Sequence, residues 1–270
     1  MAHRDSTGLV LCPLIISAPF GNYIQPSGTT PTLGTFTALR RGGVLQRVWR
    51  VARTVRYYPG TRAWVNRIGL RNPGIDWLCQ RAASGAVDVA DKLVSVHGFS
   101  ADEWYRLLDR IAELQPMAVE LNVSCPNVGH ISWPLDLFSR AVATGVPVVV
   151  KVPPIEYSLM VEQAHEAGIR HFHCCNTLPV PGGGMSGTPL LPLSLACIRD
   201  LRARSFGQEL VLIGGGGIYQ PTDIDAYARA GADHVAIATK LFHPKYLISH
   251  RPILPLLHQA RSALPARRPS

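Results

Sequence analysis

The chain has 270 residues, of which 47% are hydrophobic and 17% charged, and its formal net charge is +9. Hydrophobic residues at this frequency are typical of a globular protein and exclude a disordered chain. Nowhere do 18 apolar residues follow one another, so the sequence predicts no membrane-spanning helix. The six cysteines form no CxxC pair, so neither a metal site nor a disulfide framework is expected.

Short apolar runs alternate with helical patterns along the whole chain. The sequence predicts strands over residues 14–18, 35–39, 93–96, 118–122, 146–152, 171–176, 210–214 and 234–238. Several runs, such as VPVVVKV, are apolar on both faces, which is typical of a parallel sheet covered by helices.

Helices are predicted over residues 76–84, 101–114, 135–144, 156–167, 192–204, 222–230 and 247–263. Ser100 and Glu103 form a capping box at the start of the second of these helices. Eight strands alternating with helices in a chain of this length indicate a single-domain (β/α)8 TIM barrel over residues 1–270. A doubly wound sheet is the alternative.

Two segments do not fit the alternation. The link NYIQPSGTTPTLG between the first two strands is too short for a full helix. Residues 44–62 carry Arg47, Arg50, Arg53 and Arg56 at a spacing of three, followed by YYPG. We interpret residues 44–62 as an insertion over one mouth of the barrel, with a hairpin as a candidate structure.

The glycine-rich motif IGGGGI, residues 213–218, lies between a predicted strand and a predicted helix. Backbone amides in such a turn, aimed by the helix N-terminus, can hold a phosphate group. Barrels place such a site after strands seven and eight, which makes residues 236–239, at the end of strand eight, the partner of this motif. A flexible tight turn is the alternative.

The motif ELNVSCPN places Asn122, Cys125 and Asn127 at the end of the fourth strand. An asparagine offers a donor and an acceptor together, which suits the amide or imide edge of a ring. A loop cysteine can act as a general base if its thiolate is stabilised. The alternative is an inert cysteine in a turn restrained by proline.

Lys151 ends an otherwise apolar strand, and a buried lysine needs a carboxylate or a ligand nearby. A cation at this position could stabilise a reduced flavin, and a plain salt bridge is the alternative. Asn176 and Thr177 end the sixth strand and precede the loop GGGMSG, whose glycines allow a ligand to approach the backbone. A mobile loop without a ligand is the alternative there.

These motifs together resemble the dihydroorotate dehydrogenase family. The resemblance rests on ELNVSCPNV, KVPP, NT followed by GGGMSG, and IGGGGI followed by IAT, with VNRIGLRNPG matching the substrate loop and GTFTA the second strand. The matches follow one another in order from Pro13 to Leu241. The resemblance implies a barrel that holds FMN, which accepts a hydride from a dihydropyrimidine while a base removes the neighbouring proton.

The resemblance also implies roles for individual residues. The base falls on Cys125, and a cysteine there, without a membrane-associating N-terminal helix, resembles the class 1 enzymes. The substrate-holding residues fall on Asn66, Asn122, Asn127, Asn176 and Thr177. The cofactor-binding residues fall on Ala18, Asn122, Lys151, Ser186, Gly187, Gly216, Gly217, Ala238 and Thr239.

The sequence departs from the family pattern near the substrate. The family lysine at the end of the second strand is replaced by Leu39, which is followed by Arg40 and Arg41. The family segment GNPxPR is replaced by the arginine-rich residues 47–56, and the glycine before Thr239 is Ala238. These changes leave the substrate open, while the arginines form a cationic rim that could attract an anion.

The sequence thus predicts an FMN-dependent oxidoreductase that acts on a CH–CH bond, with pyrimidine biosynthesis as the leading assignment. The alternatives are a dehydrogenase or ene-reductase of specialised metabolism on the same scaffold, and a barrel that has lost its flavin. The expected partners are a small cyclic amide or anion and a soluble electron acceptor or partner chain, with neither nucleic acid nor membrane. A homodimer is a family expectation. Because the apolar residues 9–18 contain Pro13 and lack a clear cleavage site, we expect no signal peptide and a cytoplasmic protein.

Overall fold

The structure, a computed structural model, describes residues 3–4, 8–43, 49–50, 53–123 and 133–264. Eight parallel strands form a closed barrel in which each strand pairs with its neighbours in sequence and β8 pairs with β1. The strands are β1 (Leu14–Ile16), β2 (Thr30–Phe36), β3 (Leu93–Val96), β4 (Ala118–Leu121), β5 (Val148–Val152), β6 (His171–Cys174), β7 (Val211–Gly215) and β8 (His234–Ile237). The predicted (β/α)8 barrel is therefore confirmed.

Helices follow every barrel strand except the first, after which the chain makes only the short 3-10 turn Phe20–Asn22. The helices are α1 (Ile75–Ala83), α2 (Ala101–Leu114), α3 (Leu137–Ala143), α4 (Ser158–Glu166), α5 (Leu190–Ala203), α6 (Pro221–Ala230), α7 (Lys245–Ile248) and α8 (Leu254–Ala263). Most of the buried apolar side chains lie between these helices and the strands. None of the helices in the described ranges is long and apolar enough to cross a membrane.

Helix α2 shows how local sequence sets an element's ends. The Ser100 hydroxyl accepts a hydrogen bond from the Glu103 backbone at 3.2 Å, and the Glu103 carboxylate accepts one from the Phe99 backbone at 2.9 Å. The helix ends at Gln115, whose φ of 47° is left-handed. Between these ends, apolar residues at helical spacing are buried against the barrel: Trp104, Leu107, Leu108 and Ile111.

Two sequence predictions were wrong in their boundaries. The second strand covers Thr30–Phe36 rather than residues 35–39, because a shift in pairing between Leu33 and Phe36 lets the strand continue through Gly34. The predicted helix over residues 247–263 is divided into α7, a 3-10 turn and α8. Pro252 and Pro255 explain this division, because proline is accepted in the first turn of a helix and not in its interior.

The amino-terminal end of the barrel is filled with apolar side chains. Leu9 and Leu11 pack there against Ile15 of β1, Leu93 of β3 and Val149 of β5. Because this end contains a dry cluster, polar side chains that point into the barrel can reach a ligand only at the carboxyl end.

A second sheet, called the cap sheet here, lies beside the carboxyl end of the barrel. Its strands are antiparallel and follow the order Leu178–Val180, Gly183–Gly187, Ala63–Asn66 and Arg56–Tyr58. Trp64 of this sheet stacks on Phe242 beyond β8, with ring centroids 4.9 Å apart. Of the insertion predicted over residues 44–62, the last part contributes the strand Arg56–Tyr58, which forms a hairpin with Ala63–Asn66 in the cap sheet. Residues 44–48 and 51–52 lie outside the described residues.

Candidate active site

A cleft opens between the carboxyl ends of the barrel strands and the cap sheet. It encloses about 740 Å³, including solvent at its mouth. Barrel strands β5 to β8, the turn after β1 and the two central cap strands all contribute side chains or backbone to its walls. This is the end of a (β/α)8 barrel where active sites occur.

Three ionisable side chains meet inside the barrel, and two of them, Lys151 and His173, line the cleft. His173 of β6 lies with its Nδ1 2.7 Å from Glu120 Oε2, and Lys151 Nζ of β5 is 3.9 Å from Glu120 Oε1. Burial alone would raise the pKa of Glu120, but the charge of Lys151 and the hydrogen bond from His173 outweigh burial and hold this pKa at about 2. Burial and the charge of Lys151 lower the pKa of His173, against the opposing effect of Glu120. The cluster therefore contains a carboxylate, an ammonium group and a neutral imidazole.

Amide and hydroxyl groups form a connected network above this cluster. Asn176 Nδ2 donates to Asn122 Oδ1 at 2.7 Å, and Asn122 Nδ2 donates to Thr35 Oγ1 at 3.2 Å. Thr35 in turn lies 3.0 Å from the hydroxyl oxygen of Ser95, and the Thr177 backbone donates to Asn176 Oδ1 at 2.9 Å. The network ties the Asn122 and Asn176 amides, which follow β4 and β6, to hydroxyl groups of β2 and β3, so the orientation of both amides is set before a ligand binds.

The other end of the cleft is built from backbone. Gly216 and Gly217 have φ values of 105° and 76°, and a side chain at Gly217 would bring its Cβ within 2.7 Å of Leu191 Cβ. Ala238 and Thr239 face them from the end of β8. Since this turn precedes helix α6 and its glycines leave the backbone uncovered, the arrangement suits an anionic phosphate group.

One stretch of the chain that reaches the cleft wall is rich in arginine and free of acidic residues. Between residues 6 and 75 the chain contains no Asp or Glu, and its nine basic residues equal the net charge of the whole protein, +9. They are Arg40, Arg41, Arg47, Arg50, Arg53, Arg56, Arg62, Arg67 and Arg71. Arg67 follows Asn66 in the cleft wall, and Arg50 Nη1 lies 3.4 Å from the Arg67 backbone oxygen. Arg67 therefore places a positive charge next to Asn66, and the sequence prediction of a wider cationic rim stays a prediction.

Leu39, for which the sequence predicts the loss of a lysine, is 56% exposed at the end of the turn after β2. Its backbone oxygen accepts a hydrogen bond from Thr37 Oγ1 at 2.7 Å, so the local turn is ordered by backbone contacts. The Leu39 side chain is not part of the cleft wall. No side chain from this position supplies a charge to the cleft.

The structure brings most of the predicted site residues together around one cleft. Its walls include Ala18, Asn66, Lys151, Asn176, Thr177, Ser186, Gly216, Gly217, Ala238 and Thr239. Asn122 does not line the cleft but holds Asn176, and Gly187 lies directly after Ser186 in the cap sheet. Cys125 and Asn127 lie outside the described residues, so their roles stay predictions.

Sequence reasoning gave no role to Glu120 or His173. Glu120 stands in the quoted motif ELNVSCPN, and His173 stands in the run HFHCC. A signal was available, because each is a polar residue at an inward-facing position of an otherwise apolar strand, as is Lys151. Pairing of His173 with Lys151 in adjacent strands, however, depends on register, which the sequence does not show.

Comparison with known proteins assigns the chain to a family. The model of the family described as dihydroorotate dehydrogenase matches residues 32–255. The chain belongs to this family. Dihydroorotate dehydrogenases are flavoproteins, generally dependent on FMN.

Two bacterial members illustrate the distance within the dihydroorotate dehydrogenase family. Dihydroorotate dehydrogenase A (fumarate) of Lactiplantibacillus plantarum is 30% identical over 217 residues, which cover 68% of this chain and 69% of the relative. The catalytic subunit of dihydroorotate dehydrogenase B (NAD(+)) of Listeria innocua is 30% identical over 211 residues, or 68% of each chain.

Solved structures show the same fold in a dihydroorotate dehydrogenase. The ligand-free enzyme of Eimeria tenella superposes with a TM-score of 0.73 at 18% identity, over 97% of this chain and 89% of that chain. The complex of the Eimeria tenella enzyme with ferulenol gives 0.71 at 17% identity, over 97% and 84%. The shared fold thus persists where sequence identity is low.

Proposed function

We propose that the protein is an FMN-dependent oxidoreductase that oxidises dihydroorotate, or a closely related cyclic amide, at a CH–CH bond. The observation that carries the proposal is the cleft itself. A buried lysine and fixed amides stand at one end of the cleft, and a glycine turn stands at the other. Family membership supports the same reaction class.

The residues of the cleft fit FMN. A flavin mononucleotide needs a ring pocket with a polar edge, a path for its ribityl chain and a site for its phosphate. Lys151 and the Asn176 amide supply polar groups at the ring end, while Gly216, Gly217 and Thr239 supply the phosphate end. The turn has no room for a larger residue at Gly217, as expected if a ligand and helix α5 both approach this backbone closely.

FMN, when bound, supplies the two-electron acceptor for the hydride of the substrate. The chain's own residues bind and orient the substrate and move its proton. The proposed substrate contacts are Asn66, Asn176 and Thr177 in the cleft wall, together with Asn122 and Asn127. Cys125 is proposed as the base that removes the proton from the carbon next to the one that loses the hydride.

The arginine-rich segment favours an anionic substrate. Asn66 of the cleft wall belongs to the acid-free segment with nine arginines, and this charge supports the attraction of a carboxylate to the cleft. Such attraction acts over about 8 Å at physiological salt and weakens as salt is added. We expect kcat/KM for dihydroorotate to fall several-fold between low and high ionic strength, while that for an uncharged dihydropyrimidine stays constant.

Anaerobic flavin reduction tests the proposal directly. Adding dihydroorotate to the FMN-loaded protein should bleach the flavin absorbance, and Cys125→Ala should slow the bleaching by about 100-fold or more, the usual contribution of a general base. Cys79→Ala is the matched control, because Cys79 lies on α1 and not in the cleft wall. An equal rate in the wild type and Cys125→Ala refutes the role of Cys125.

A second substrate class is favoured by Leu39. Its exposed apolar side chain leaves this position without the family's charge, which suits a dehydrogenase or ene-reductase acting on another small cyclic compound. Flavin that is bound but not bleached by dihydroorotate supports this second candidate. A purified protein that neither carries FMN nor takes it up refutes both candidates.

The electron acceptor is proposed as a soluble oxidant or a partner chain. The relatives' names give fumarate for the Lactiplantibacillus enzyme and NAD(+) for the Listeria enzyme. Reoxidation of the bleached protein by each of these two compounds, measured as return of the flavin absorbance, distinguishes a direct small oxidant from a partner.

A further inference from the structure

His173 occupies a particular place in the cleft. It is the third residue of β6, is only 2% exposed, and pairs in register with Lys151 of β5 on one side. On the other side, its Nε2 lies against Gly215 of β7, so closely that a Cβ at Gly215 would stand 2.7 Å from this nitrogen. His173 therefore lies between the lysine at the ring end and the glycine turn at the phosphate end.

The contacts of His173 define which of its nitrogens is free to bind a ligand. Nδ1 lies 2.7 Å from Glu120 Oε2, and this carboxylate is ionised and can only accept a hydrogen bond. Nδ1 must therefore carry the proton in the neutral ring, which leaves Nε2 as an acceptor. Among the described residues Nε2 has no hydrogen-bond partner, and the ring lines the cleft.

We propose that His173 Nε2 accepts a hydrogen bond from a ribityl hydroxyl group of bound FMN, with Glu120 as the residue that positions the imidazole. The inference rests on the proposed function, because it presumes FMN in the cleft. The ribityl chain joins the ring to the phosphate, so it must cross the wall between Lys151 and the turn at Gly216 and Gly217. Its hydroxyl groups are the only FMN donors in that stretch.

The surroundings make this contact sensitive to protonation. The charged groups that face the imidazole are Glu120 on β4 and Lys151 on β5, and β7 contributes Gly215. The buried thiol of Cys175, beyond β6, lines the same cleft. Protonation of Nε2 would turn an acceptor into a donor. A ribityl hydroxyl group can accept as well as donate, so protonation of His173 would reverse the direction of this hydrogen bond.

Two variants separate the functions of the two ring nitrogens. In His173→Asn the amide can still donate to Glu120 but does not reach the cleft. In His173→Gln the longer side chain brings its carbonyl oxygen to the position of Nε2. The dissociation constant of each FMN-loaded protein is measured from the flavin fluorescence released on dilution, with FMN and with its 2′-, 3′- and 4′-deoxy analogues.

For the wild type, one deoxy analogue should bind about three- to tenfold more weakly than FMN, the range expected for a single hydrogen bond. His173→Asn should bind FMN more weakly by a similar factor and lose its discrimination against that same analogue. His173→Gln should recover part of the FMN affinity and of the discrimination.

The opposite results are equally clear. A wild type that binds all three deoxy analogues as tightly as FMN overturns the inference without reference to any variant. Discrimination that persists in His173→Asn overturns it as well, because the hydroxyl group would then bind elsewhere. If the wild type binds no FMN at all, the proposed function fails, and that result is distinct from either of these.

Discussion

Replacing Glu120 by Gln should destabilise the folded protein, because the charge of Glu120 stabilises the buried ammonium group of Lys151. Glu120 is fully enclosed and its pKa is lowered from an ordinary 4.5 to about 2, despite burial that acts in the opposite direction. A shift of this size corresponds to about 3 kcal/mol of stability at neutral pH. Because Gln removes the negative charge 3.9 Å from the buried Lys151 ammonium group, we expect a loss of about 3–5 kcal/mol in the free energy of unfolding.

The pH dependence of stability follows from the sign of the same shift. A carboxyl group with a lowered pKa in the folded state stabilises the protein above its unfolded pKa. That contribution is lost as the pH falls from about 4.5 towards about 2. The wild type should therefore lose stability across this interval faster than Glu120→Gln does.

Urea unfolding of the flavin-free protein at neutral pH measures the effect. The matched set is Glu120→Gln, Lys151→Met and the double variant, in which neither buried charge remains. If the two groups stabilise each other, the double variant should lose several kcal/mol less than the sum of the single losses. Strictly additive losses, or a Glu120→Gln protein as stable as the wild type, would refute the electrostatic reasoning.

Two further predictions concern the phosphate end and the cap sheet. Gly217→Ala should weaken FMN binding at least tenfold, since the new Cβ meets Leu191. Gly168 also has a positive φ, but a Cβ there meets nothing within 4 Å, so Gly168→Ala should lose only stability. Equal FMN dissociation constants in the two variants would contradict this. Trp64→Leu removes the stacking on Phe242. It should speed FMN release about three- to tenfold, with little change in the melting temperature of the protein. Stopped-flow fluorescence measures the release rate, and an unchanged rate would contradict the prediction.

The sequence predicts the barrel well because its signals are local. Strands β3 to β8 are short apolar runs bounded by helical patterns, and the Ser100 cap fixes the start of α2 to the residue. The motifs at the strand ends were equally visible, since asparagine, lysine and glycine at those positions are unusual in apolar surroundings. Closure of the barrel then brings most of the predicted site residues to one cleft.

What the sequence did not predict depends on pairing between distant segments. The second strand was placed too late because Pro31 and Gly34 are typical of turns, and only the shifted register with β3 makes a strand there possible. The Glu120–His173 contact joins residues 53 positions apart, and no local pattern indicates it. The cap sheet similarly joins Asn66 to Gly184, which are distant in the chain.

The cap sheet has a thermodynamic consequence for the two ligands. Asn66, a proposed substrate contact, pairs with Gly184, and two residues further along the same cap strand Ser186 pairs with Trp64 beside the proposed phosphate site. One ladder of backbone hydrogen bonds thus carries both contacts. If either ligand orders this ladder, it prepares the ladder for the other ligand. Because such coupling is reciprocal, substrate would then tighten cofactor binding by the same factor by which cofactor tightens substrate binding.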